Sequence, residues 1–299
     1  MSITLSRREL ILSASAAGLP GAAAAQSAPD WQRLPRGPQS PEGRPGYPFY
    51  GQYLVAFWRR AAPSTVLPED NASERAPGRI VRALPSFDAR GRSGVPAGQQ
   101  AVLMRRCEVI RDRMLAQPSL SDIHGASLDF VPRARLSTSG PNAGRLVCEL
   151  TMNHRAVRLD FPETIEADGR FHTPTPGEQL VFRVNDTASL EERLVETLRF
   201  GPNRLYSARM GHGAFWIDPA LEPLAPLPPY VSDVNNLEHV PHGGDPMAIH
   251  LFTAASASNA SQTNLERGVL RPTHWAGRAM AALYMVDWPA VVAELKTIR

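Results

Sequence analysis

Thirteen residues near the end of the chain, Glu238 to His250 (EHVPHGGDPMAIH), hold three of its eight histidines and two carboxylates. His239, His242 and Asp245 offer two imidazoles and a carboxylate, the donor set of non-haem iron and many hydrolytic zinc sites. One divalent metal ion is the chemistry this stretch could support. Pro241 forbids a helix here, so the donors would have to converge through the Pro241 bend and the Gly243-Gly244 turn. His250 falls on the apolar segment that follows, on the same side as Ala248 and Phe252, which is the place of a core histidine rather than a fourth ligand. The opposing expectation is a bent loop whose side chains diverge, with Asp245 accepting from nearby backbone N–H groups.

Other constellations are sparse. His124-Gly125-Ala126-Ser127 puts a serine near a histidine, but neighbours in sequence rarely form a triad, and a polar loop is the competing expectation. Gly211-His212-Gly213 either presents an imidazole beside open backbone or is a tight turn between strands. No G-x-S-x-G elbow, P-loop or G-x-G-x-x-G occurs, and two cysteines exclude C-x-x-C redox, zinc-knuckle and haem-attachment motifs. Lys296 is the single lysine among 32 basic residues, so Schiff-base and Ser-Lys mechanisms would rest on it alone. A formal net charge of +3, without a basic run interleaved with aromatics, excludes nucleic acid as a partner.

The elements that must position these residues follow from periodicity. Tyr47 to Trp58 is the most aromatic stretch and reads as a strand or a short helix, and Ile80 to Leu84 as a short strand. Leu103, Cys107, Ile110 and Met114 line one face of a helix over Ala97 to Ala116, with Arg105, Arg106, Glu108, Arg111 and Asp112 filling the remainder, and Gln117-Pro118 ends it. Between Arg145 and Asn185 the pattern is antiparallel sheet. Leu146, Cys148, Leu150 and Met152 alternate, as do Val157, Leu159 and Phe161, and a turn at Asn153-His154 would pair the two sets. Asp168-Gly169 marks a second hairpin between Ile165 and His172, and Leu180, Phe182 and Val184 another strand.

Ser189-Leu190-Glu191-Glu192 is a capping box that predicts a helix over Leu190 to Arg199. Strands over Arg204 to Met210, Ala214 to Ile217 and Met247 to Thr253 follow. A proline-rich connector spans 219–230, and Ala254 to Asn264 reads as a polar loop. Two helices close the chain, Trp275 to Val286 and one capped by Asp287 with Pro289 in its first turn. The fold class expected is α+β, an antiparallel β-sheet with flanking helices and a C-terminal helix pair.

Cys107 lies on the apolar stripe of its helix and Cys148 on the apolar face of its strand, so a disulfide is expected where that helix covers the sheet. The compartment is suggested by the first residues. Ser6-Arg7-Arg8-Glu9-Leu10-Ile11, a weakly apolar run and Ala-x-Ala choices up to Ala25 together resemble the twin-arginine export signal of periplasmic bacterial proteins. That resemblance covers the leader alone and implies passage through the twin-arginine export machinery after folding.

The domain plan is then a signal peptide over 1–25, an exposed leader arm over 26–47 and a single globular domain over 48–299. No later segment is long and apolar enough to span a membrane. Two function classes are open for the exported domain. One is a non-catalytic module that binds a small-molecule ligand or an envelope protein. The other is a metal-assisted hydrolase or oxygenase using His239, His242 and Asp245.

Overall fold

Aromatic, alanine-rich and β-branched segments separate into helices on one side and strands on the other. The structure, a computed structural model, describes residues 47–60, 72–82, 86–87, 96–136, 146–175, 177–185, 194–208, 211–220, 230–231, 245, 247–257, 263–265 and 270–299. All of these belong to one compact unit within 36–299. The helices are α1 (Tyr47–Arg60), α2 (Ala72–Arg75), α3 (Ala97–Leu115), α4 (Trp275–Met285) and α5 (Trp288–Thr297). The strands are β1 (Ile80–Arg82), β2 (Ser86–Phe87), β3 (Ala126–Leu136), β4 (Leu146–Ala156), β5 (Ile165–Ala167), β6 (Arg170–His172), β7 (Glu178–Val184), β8 (Leu194–Phe200), β9 (Asn203–Ala208), β10 (Gly211–Ile217), β11 (Tyr230–Val231) and β12 (Leu251–Ser256).

Among the described residues ten strands form one sheet in the order β1-β3-β4-β7-β12-β10-β9-β8-β11, with β2 also beside β3, and β5-β6 form a separate hairpin. The expected α+β class holds, with one refinement: β1 and β2 run parallel to β3, so the sheet is mixed. Pro132 shows how the edge is built. β1 pairs Leu128 to Phe130 and β2 pairs Arg133 and Ala134, so the residue without an N–H falls in the gap between the two short edge strands.

Helices cover one face. The α5 residue Trp288 packs its ring 5.5 Å from Phe182 and 5.1 Å from Phe252, which share that face by register, and Cys107 of α3 reaches Cys148 there. Every residue of α4 from Ala276 to Tyr284 is buried, as a helix enclosed between a sheet and α1 must be. Asn203 of β9 joins the helix pair to the sheet. Its amide donates to the carbonyls of Tyr284 (3.3 Å) and Val286 (2.6 Å), and its Oδ1 accepts from the N–H of Trp288 (3.0 Å). Asp287 caps α5, accepting from Ala290, with proline in the first turn as read from the sequence.

The α3 stripe Leu103, Cys107, Ile110 and Met114 is buried as expected. Arg106 departs from the surface role expected of it and is buried, because it donates to the carbonyls of Leu295, Ile298 and Met247. A buried guanidinium there meets the carbonyls of Leu295 and Ile298 at the C-terminal end of α5, the Leu295 oxygen accepting from the Ile298 N–H as well. Arg278 is 0% exposed and does similar work. It donates to the carbonyls of Thr273, Ser119 and Asp122 and lies 4.6 Å over the Trp58 ring.

Three local expectations are corrected. Asn153-His154 is not a turn: β4 runs through it, paired with β3 over Ala126 to Leu136. The alternating set Cys148, Leu150 and Met152 was read correctly, but Asn153 is held in strand by neighbours on both sides rather than freed to turn. Residues 194–199, expected helical from the capping box, form β8 instead, because the edge of β9 supplies ladder partners that outweigh a local helix signal. The last sheet strand begins at Leu251 and continues to Ser256 into the expected polar loop. The Asp168-Gly169 hairpin is as read: both residues have positive φ, 54° and 69°, and Ile165 faces His172.

Candidate functional site

The residues singled out in the sequence do not assemble into one centre. His239 and His242 lie outside the described residues. Asp245 is exposed, and its Oδ1 accepts from the Met247 N–H at 2.8 Å, the local contact expected of a loop carboxylate. Among the described residues no group of three His, Cys, Asp or Glu is placed to hold a metal ion. His250 stands 3.7 Å from Asp218, and Lys296 pairs with the same carboxylate at 3.6 Å while lying 4.4 Å over the Trp216 ring. His212 is buried within β10 opposite Ser207, not at the tip of a turn. Cys107 and Cys148 meet as read, with sulfurs 3.0 Å apart, but the expected bond is not formed and both are free thiols. The hydrogen bond with the Cys148 thiol, and after it burial, push the Cys107 thiol well above its ordinary pKa.

The opposite face of the sheet is where charge is concentrated. Among the described residues no helix packs on it. Alternation along β3, β4 and β7 turns Arg133, Asp129 and Ser127, then Glu149, Asn153 and Arg155, then Arg183 and Gln179, away from the helices. Register lines them into cross-strand rows. Glu149 accepts from Arg183 at 3.0 Å and lies 3.8 Å from Arg133, Gln179 donates to Asn153 at 2.8 Å, and Arg155 donates to Asp129 at 3.3 Å. Further along, Arg204 lies 4.6 Å over the Phe215 ring, with Tyr206 edge-on to it.

One corner of this face, where β3 and β4 meet the β5–β6 hairpin, holds the closest approach to a chemical site. Ser127 Oγ lies 2.9 Å from Nδ1 of His172. Ser127 and Asp129 are two residues apart on β3 and therefore on one face, and Arg155 is the register partner of Ser127. Gly177 explains how the chain closes over this corner. A Cβ there would lie 2.2 Å from the His154 carbonyl oxygen, so only glycine lets the approach to β7 press against β4. That approach carries the Thr175 carbonyl onto Arg155 Nη1, which donates to it.

Partial burial holds the His172 ring below its ordinary pKa; Asp129 pulls it upward, while Arg155 and Arg79 push it further down. A neutral imidazole beside a serine is the start of a nucleophilic site. Two facts oppose that use: Ser127 is 0% exposed, and it meets Nδ1, the nitrogen that an orienting carboxylate takes in a triad. What the corner offers instead is recognition. Asp129 Oδ1 and Arg155 Nε are both buried and have no hydrogen-bond partner, although the two side chains touch each other.

Sequence reasoning placed His172 in the correct hairpin and missed its role, since Ser127 is 45 residues away and no local pattern shows where a hairpin docks. It also missed His154. Read as a turn residue, His154 is 2% exposed on the helix side, its ring 4.6 Å from Trp275 and neither ring nitrogen hydrogen-bonded. Burial, with His274 adding to it, pushes its pKa down to about 3, and burial pushes His274 down to about 4. These rings are neutral packing groups at ordinary pH. No family model, curated protein or solved structure matches this chain.

Proposed function

We propose that the chain is a non-catalytic module, exported to the periplasm by the leader containing Arg7 and Arg8, that binds a small molecule on the helix-free face of its sheet. The observation that carries this reading is the Asp129–Arg155 corner, where a buried acceptor and a buried donor lack partners on groups otherwise locked in place. Strand-borne side chains fixed by cross-strand pairs suit binding, because little freedom remains to be lost when a ligand docks. A disulfide between Cys107 and Cys148 belongs to the same proposal, since export would deliver two adjacent thiols to an oxidising compartment.

The test is to purify the protein from the periplasm without denaturation, extract it and identify small molecules and metals by mass spectrometry. A compound bound near one per chain, lost in Arg155→Ala, is the expected result. One divalent ion per chain, lost in His239→Ala, would overturn the non-catalytic reading in favour of a metal-assisted hydrolase or oxygenase.

A further inference from the structure

We propose that the outer edge of β5 receives an extended segment of another protein, in which basic and apolar residues alternate, as one further short strand. Backbone geometry opens this edge. In the β5–β6 hairpin Ile165 faces His172, Glu166 faces Phe171 and Ala167 faces Arg170. Phe171 uses both of its main-chain groups on the far side of β6: its N–H donates to the Pro77 carbonyl at 2.8 Å and its carbonyl accepts from the Arg79 N–H at 2.9 Å. Facing residues of an antiparallel pair alternate between exchanging both bonds and exchanging neither, so Glu166 and Phe171 exchange neither. The N–H and C=O of Glu166 therefore point out of the hairpin, away from β6, and among the described residues nothing bonds them. Glu166 is exposed, so a second chain can reach both groups.

Side chains at this edge select the partner. Ile80, Leu159 and Ile165 are the large apolar residues exposed among the described residues, and all three belong to this corner. Ile165 lies in β5 itself and is 51% exposed; Leu159 follows Arg158, whose N–H donates to Thr173 at the base of the hairpin; Ile80 comes just after Gly78, which bridges Phe171. Glu163, Glu166 and Asp168 are exposed on the same hairpin, and among the described residues none of them is in an ion pair. The arginines nearest in sequence are engaged, Arg158 with Asp160 at 3.2 Å and Arg170 with the Gly78 carbonyl at 3.1 Å. A partner residue bonded to Glu166 through both main-chain groups lies directly opposite it on the same face, so a lysine or arginine there meets the carboxylate. Its two neighbours fall opposite Ile165 and Ala167 on the other face, where apolar side chains cover the exposed isoleucine. Main-chain bonds supply the attachment and alternate side chains the choice, as in other strand additions. Such a partner needs no small molecule on the helix-free face.

The experiment titrates the isotopically labelled full chain with the peptide acetyl-Lys-Val-Lys-Val-Lys-amide and follows the Glu166 and Ile165 amide signals by nuclear magnetic resonance. Saturable shifts are expected, with a dissociation constant on the order of millimolar for so short a strand. The same peptide N-methylated at its lysines, and its counterpart acetyl-Glu-Val-Glu-Val-Glu-amide, should each bind weaker by about tenfold or more. Glu166→Lys, a change of an exposed side chain, should weaken the lysine peptide by about as much. Shifts that never saturate would overturn the docking edge. Equal binding of the glutamate peptide would overturn the basic partner, and equal binding of the N-methylated one would overturn the added strand. Sedimentation of the free chain is the last arm: a dimer that Ile165→Glu dissolves would make a second copy the occupant and overturn the foreign segment.

Discussion

Lowering the pH should unfold this protein through a histidine that does no chemistry. His154 is enclosed by the sheet and Trp275, and its pKa lies at about 3 instead of 6.5, chiefly through burial. In the unfolded chain the ring returns to the ordinary value. Above about pH 6.5 both states hold it neutral and it costs nothing. Below that pH the unfolded state takes a proton the folded state refuses, so stability falls until the folded ring titrates as well.

Each pH unit in that window is worth about 1.4 kcal/mol, so at about pH 5 the loss from His154 is about 2 kcal/mol, a large part of the 5–15 kcal/mol typical of a domain. His274, held at about 4, acts in the same direction. The assay is urea unfolding of the wild type and of His154→Leu at about pH 7.5, 6 and 5. The variant should lose about 2 kcal/mol less than the wild type over this range. Near neutrality it should be within about 1 kcal/mol of the wild type, because two unbonded buried nitrogens are removed together with the ring. Equal pH slopes for the two proteins would refute the buried neutral ring.

Three further outcomes are expected. Oxidising the full chain should join Cys107 and Cys148 across a sequence separation of 41 residues and raise stability by about 4 kcal/mol, before any strain is subtracted; two thiols titrating in unfolded, unreduced exported protein would exclude the bond. Asn203→Ala should cost about 3 kcal/mol in denaturant unfolding, since it strands the Tyr284 and Val286 carbonyls and the Trp288 N–H in the core; a loss below about 1 kcal/mol would mean that the helix pair is held by apolar packing alone. Replacing Arg7 and Arg8 by lysine should keep the protein in the cytoplasm, as cell fractionation would show, and unchanged export would rule out the twin-arginine route.

Local chemistry was legible wherever the information lay within a few residues. The α3 stripe, the Asp287 cap with its proline and the Asp168-Gly169 turn each depend on contacts of short sequence separation, and each stands where the pattern put it. Alternation in β4 was equally plain, because burial of Cys148, Leu150 and Met152 needs only one covered face. Where that strand ends could not be read from its own residues. Asn153 and His154 look like a turn until β3 and β7 pair with them on both sides, and the 194–199 segment is helical by propensity until β9 offers a ladder. The candidate site belongs wholly to this second kind. Ser127, Asp129, Arg155 and His172 come from β3, β4 and a hairpin that docks on them, and the unbonded pair of polar atoms exists only because strand register puts Arg155 opposite Ser127, within a diagonal reach of 3.3 Å to Asp129. Periodicity determined which residues turn inward; long-range strand pairing decided which polar residues meet, because that choice is made by free energy summed over the whole sheet.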